Sequence, residues 1–150
     1  MKKDKFDCYV VEENFSSLYS YYKNKDSGLR WGSIFVLPSW LETWWKEFGS
    51  EFDLLLPAIY QGNKVIGIAP LKAREKTASV IGSSDVTDYV DFITVSGGEE
   101  RFFACLFEYL ANKGISCLDI KHVHPESSTY RFFVDEKENY HYDIVCKQDD

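Results

Sequence analysis

No apolar run in this chain approaches the roughly 20 residues that a helix needs to cross a bilayer, so its 150 residues offer no helical membrane span. Basic charge is also scarce. Seventeen Lys and Arg stand against 24 Asp and Glu, a net charge of −7. A nucleic-acid surface needs clustered cations. The densest group here, Lys72, Arg74 and Lys76, is interrupted by Glu75 and reads as a solvated loop or strand end. The opening stretch, MKKDKFDCYVVEENF, has a basic start but lacks the sustained apolar core and cleavage site of a secretory signal. There is no P-loop and no dinucleotide fingerprint. Ser127 and Ser128 have no nucleophile-elbow context. The four cysteines, Cys8, Cys105, Cys117 and Cys146, form no CxxC pair and each sits in an apolar stretch. They read as buried thiols of a cytoplasmic protein.

Apolar and aromatic residues are plentiful: 45% of the chain is hydrophobic and 17% aromatic. A single domain of this length buries about 70% of its unfolded surface, so a packed core is expected. Residues 6–11 read as a short strand. Phe15, Leu18, Tyr19 and Tyr22 then mark one helix face starting near Asn14. Asn14-Phe15-Ser16 is a glycosylation triplet by letter, but Asn14 is better used as the helix cap. Ser39-Trp40-Leu41-Glu42 has the form of a capping box. It opens a helix with Trp40, Trp44 and Phe48 along one stripe and Gly49 at its end.

Two apolar runs, 53–60 and 64–72, flank Gln61-Gly62-Asn63 and predict an antiparallel hairpin. Further strands are expected from Thr77 and over Asp88–Val95. Phe102, Phe103, Leu106, Phe107 and Leu110 define a strong helix closed by Gly114. SCLDIK reads as a buried strand, HVHPESSTYRFFVDEKEN as a loop and a short helical turn, and YHYDIVCK as a last strand. The order predicts an α+β fold, a mixed and mainly antiparallel sheet flanked by helices.

Several motifs in this order resemble one family. They are Phe35…Pro38-Ser39-Trp40-Leu41…Trp44…Phe48-Gly49, then Gly67-Ile68-Ala69-Pro70-Leu71, then Ile81-Gly82…Asp88-Tyr89…Asp91, then Leu118-Asp119-Ile120…Ser127. The pattern resembles the N-terminal half of two-domain GNAT-type acyltransferases, the Fem-type aminoacyl transferases and the CelD-like acetyltransferases of polysaccharide biosynthesis. It covers nearly the whole chain. The resemblance implies a single GNAT-like domain over residues 1–150, the N-terminal half of a longer protein. It also implies acyl-CoA (acetyl-CoA) as donor in the full-length protein, an amino sugar or amino acid as acceptor, and a second GNAT-like domain or a homodimer partner.

Gly67 strips a side chain from one sheet face, and Pro70 removes a ladder donor. Such a pair suits either a splay that admits a ligand or a twisted edge strand without one. The place for a donor pyrophosphate would be a helix start, here Ser96-Gly97-Gly98-Glu99-Glu100. The two glutamates put negative charge where a phosphate would sit and fit the helix dipole instead, so this half is expected not to bind the donor.

Asp88, Tyr89 and Asp91 are the most polar group beside apolar sequence. Strand alternation would put Tyr89 and Asp91 on one face, where they could hold an amine or a sugar hydroxyl. The competing reading is turn capping by Asp88 at an exposed edge. His122 and His124 share a face if extended, but a zinc site needs further ligands and Glu126 is the only close candidate. The expectation is therefore acceptor contact by Asp88, Tyr89, Asp91 and His122, no metal, and no catalytic residue within the chain. A stand-alone GNAT-shaped scaffold is the other reading. A complete small acetyltransferase is disfavoured by the acidic helix start.

Overall fold

A computed structural model describes residues 7–83 and 85–136. The chain runs β1 (Cys8–Glu12), α1 (Phe15–Lys23), α2 (Pro38–Phe48), β2 (Asp53–Leu55), β3 (Pro57–Gln61), β4 (Lys64–Ile68), β5 (Leu71–Arg74), β6 (Thr77–Val80), β7 (Ile93–Thr94), α3 (Glu99–Asn112), β8 (Cys117–Asp119) and α4 (Ser128–Glu136). The expected element order is present up to α4. The last predicted strand, YHYDIVCK, and Cys146 lie outside the described residues. No helix among the described residues is long and apolar enough to cross a membrane.

The predicted hairpin is the spine of the molecule. Its two runs step at Leu56 and at Ala69-Pro70, so each is divided between two four-stranded sheets, β1-β3-β4-β7 and β2-β5-β6-β8. Pairing carries across the step without a slip, from Ala58 opposite Ile68 to Leu55 opposite Leu71. Pro70 lacks an N–H, but its carbonyl accepts from Ile81 at 2.8 Å. β6 and β7 take the same flank of this hairpin in succession. Between them the chain leaves the ladder at Gly82 and resumes it at Ile93. Among the described residues all strand pairings are antiparallel except β6 with β8.

Alternation along β3 assigns the two cores. Ala58 faces a cluster with Leu18, Leu41 and Trp44 from α1 and α2. Ile59 faces the cluster of Phe102, Phe103, Leu106 and Leu110 from α3, with Phe132 from α4. Helices thus cover both faces. Ile59 opposes Gly67 and Tyr60 opposes Val65, leaving Ile66 as a bulge residue.

Several expectations need correction. α2 starts at Pro38 with Leu37 as its cap and no side-chain cap bond, so Ser39 and Glu42 form no capping box. Proline is suited to the first helical position, where its missing N–H costs nothing. Asn14 does cap α1, accepting from Ser17 N at 2.8 Å, and Ser17 reciprocates. The strand predicted over Asp88–Val95 shrinks to Ile93–Thr94, which pairs with Ile68 and Gly67 of β4, and Val95 N adds a bond to Ile66 O at 3.1 Å. β8 is an edge strand with Cys117 exposed rather than a buried strand. The thiol reading of Cys8 and Cys105 is overturned, since these residues form a disulfide that ties β1 to α3. Alternation turns Cys8 and Val10 inward beneath that helix.

Candidate functional site

The excursion from Gly82 to Phe92 meets the loop that leads from β8 to α4. Val90 N donates to His122 O at 3.2 Å. This contact gathers all four residues singled out in the sequence at one end of the β5-β6-β8 sheet. Their roles differ. The Asp91 carboxylate accepts from Phe92 N at 2.7 Å, Ser127 Oγ at 2.9 Å and Thr129 Oγ1 at 2.5 Å. Ser127 Oγ in turn accepts from Thr129 N at 3.0 Å at the start of α4. Asp91 therefore fastens α4 to the excursion, and Thr129 is 1% exposed.

Tyr89 is exposed and sets its ring edge-on to His124, with centroids 4.7 Å apart. Asp88 is exposed beside it. The segment is irregular, so strand alternation does not apply: Tyr89 turns to His124 and Asp91 to α4. His122 has φ +62°, a conformation few non-glycine residues adopt, and it lines a cavity. Among the described residues no group of three or more His, Cys, Asp or Glu is arranged to hold a metal ion.

The cavity holds about 200 Å³ and is lined by Lys72, Ser79, Thr87, Asp119, Lys121 and His122, among others. Lys72 is half-buried. Its Nζ donates to Gly82 O at 2.6 Å and stands over the Trp44 and Phe52 rings, 4.5 and 4.9 Å from their centroids. Burial lowers its pKa, repulsion from Lys121 lowers it further, and Asp119 partly offsets both. Lys121 pairs with Asp119 at 3.5 Å. Sequence reasoning missed Lys72 by grouping it with Arg74 and Lys76 as solvated charge. The available signal was alternation: Leu71 and Ala73 are buried on one face of β5, which puts Lys72 on the other, where α2 covers it.

The start of α3 is the other candidate site. Gly97 is left-handed (φ +80°) and Gly98 caps the helix without a side-chain bond. Arg30 binds Glu99 Oε1 at 2.6 Å, Thr94 Oγ1 at 3.0 Å and Ser128 Oγ at 3.1 Å. Arg30 N also donates to Thr94 O at 3.0 Å, and Leu29 bridges Val95, so the chain itself covers the outer edge of β7. The nearby cation is thus already paired with a first-turn acid. These residues do not fit a pyrophosphate, which needs unopposed donors and positive charge.

Gly67, the other feature that suggested a ligand, faces a protein side chain. A Cβ built there would lie 2.2 Å from Phe102 Cδ1. The close approach that glycine permits is made by the α3 aromatic core.

No family model matches the chain, and no curated protein sequence matches it. Solved structures of similar shape include an aminoglycoside acetyltransferase from an uncultured soil metagenomic sample in complex with sisomicin, at 10% identity, 96% of each chain and a TM-score of 0.47. A GNAT family acetyltransferase of Staphylococcus aureus has 12% identity over 97% of this chain and 99% of its own, with a TM-score of 0.47. An acetyltransferase of Trypanosoma brucei has 13% identity over 96% and 99%, with a TM-score of 0.44.

Proposed function

We propose that this chain is the acceptor-binding, non-catalytic half of a GNAT-type N-acyltransferase, whose acyl-CoA site belongs to a second GNAT-like domain or to a homodimer partner. The element order and the motifs quoted above support the family. The observation that carries the division of labour is the Arg30–Glu99 pair at the start of α3, set against the polar cavity at the far end of the excursion. In this reading His122 lines the acceptor cavity, and Asp88 and Tyr89 contact the acceptor from the exposed loop. Asp91 is a positioning residue that holds α4 and the excursion in register. These groups bind and orient an amine; removal of its proton falls to the donor-bearing domain.

Calorimetry tests the division directly. Acetyl-CoA is expected to give no binding isotherm with the 150-residue chain, and micromolar affinity would overturn the reading. Candidate acceptors are expected to shift NMR signals of Tyr89 and His122, with His122→Ala weakening the effect. The second reading, a scaffold domain, is favoured by Tyr9 and Val11, exposed on the edge strand β1. Self-association that Tyr9→Ser abolishes would support it.

A further inference from the structure

We propose that the cavity between Lys72, Lys121 and His122 binds a small anionic group, and that the acceptor is therefore a carboxylate-bearing amine of the amino-acid class rather than a neutral amino sugar. This rests on the reading of the cavity as the acceptor site.

The chain as a whole carries −7, yet the cavity wall carries two ammonium groups and one carboxylate, with the His122 imidazole beside them. Asp119 is engaged by Lys121. Lys72 forms no ion pair among the described residues; its polar contact is a neutral carbonyl, Gly82 O. Its ammonium is therefore half-buried and held in place by one hydrogen bond and two aromatic rings, with Asp119 acting on it only through space and shared with Lys121. The exposed Lys121 ammonium repels the half-buried Lys72 and disfavours its charged form. An anion placed between Lys72 and Lys121 removes that repulsion and accepts charge-assisted hydrogen bonds from both. The hydroxyls of Ser79 and Thr87 line the same wall. A carboxylate is small enough for about 200 Å³. A sugar hydroxyl can accept a hydrogen bond from Lys72 but brings no negative charge to offset the two ammonium groups.

The experiment titrates the full chain with acetate, glycine, inorganic phosphate and glucosamine, following the Lys72, Lys121 and His122 NMR signals. Acetate and glycine are expected to bind saturably and to move Lys72 toward ordinary lysine titration. Lys121→Gln should weaken both about tenfold, the scale of one charged hydrogen bond, and Lys121→Glu should abolish binding. Lys121 is exposed, so both variants should fold; unchanged thermal melting confirms it. Glucosamine binding at these residues without acetate or glycine would overturn the anion site and leave the acceptor reading standing. Phosphate binding alone would overturn the carboxylate assignment. Silence from all four probes would sink both.

Discussion

Gly67→Ala is the sharpest probe of why this strand carries a glycine. The added Cβ would lie 2.2 Å from Phe102 Cδ1 and 2.5 Å from Cε1, far inside contact distance. The ring has nowhere to go. Phe102 is 0% exposed and lies edge-on to Phe92 and Phe103, with centroids 5.6 and 5.0 Å away. Overpacking of this kind costs about 1–3 kcal/mol, and the upper end applies where the obstructing ring is locked. Alanine recovers about 0.4–1 kcal/mol by restricting the unfolded chain. The net loss is about 2 kcal/mol, which for a chain of this size lowers Tm by roughly 4–8 °C. Thermal and urea unfolding would measure it. The double variant Gly67→Ala/Phe102→Leu adds a stricter requirement: its loss should be smaller than the sum of the single losses by about 1 kcal/mol or more. An unperturbed Gly67→Ala, or strictly additive losses, would mean that Phe102 is not the reason for the glycine.

Three other expectations follow from contacts already described. Asp91→Ala strands the buried Thr129 hydroxyl and should cost about 1–3 kcal/mol, with hydrogen exchange accelerated first at the α4 start; uniform loss across the protein would contradict the anchoring role. Cys8→Ser opens a link between residues 97 apart in sequence and should cost about 2–4 kcal/mol, and a reductant should lower the Tm of the wild type but not of the variant. Burial and the hydrogen bond to Glu12 raise the Tyr109 pKa. Its contribution is full below the ordinary tyrosine value of about 10 and is lost as pH rises through the higher folded value. Tyr109→Phe should therefore flatten the alkaline limb of stability against pH, and an unchanged limb would refute this.

Elements with strong periodicity were legible in the sequence. The Phe102–Leu110 face, the Asn14 cap and the Gly62 turn are set by local rules, and the structure keeps them. Failures came where tertiary partners decide. Asp88–Phe92 has strand-like composition, yet the hairpin offered it no ladder, and the Asp91 carboxylate found better partners in Ser127 and Thr129. Ser39 had the right spacing for a cap, but Pro38 starts the helix two residues earlier, with Leu37 as its cap. Cys8 and Cys105 lie too far apart in sequence for any local pattern to join them. The four residues expected at the acceptor site do share one region, because the two loops that carry them meet. Alternation with Leu71 and Ala73 marks the face Lys72 takes on β5, but its partners, and those of Arg30 at the other end, come from distant elements and leave no local signature.

The stepped hairpin carries a mechanical consequence. One beam runs through both sheets, with the α3 start resting on its β4 end and the polar cavity on its β5 end. Torque between those ends along the hairpin passes through two short joints, at Leu56 and at Ala69-Pro70, in parallel with the side-chain link from Arg30 through Ser128 to the α4 start and Asp91. Stiffening or loosening those joints would alter how an event at one end is felt at the other, while touching neither.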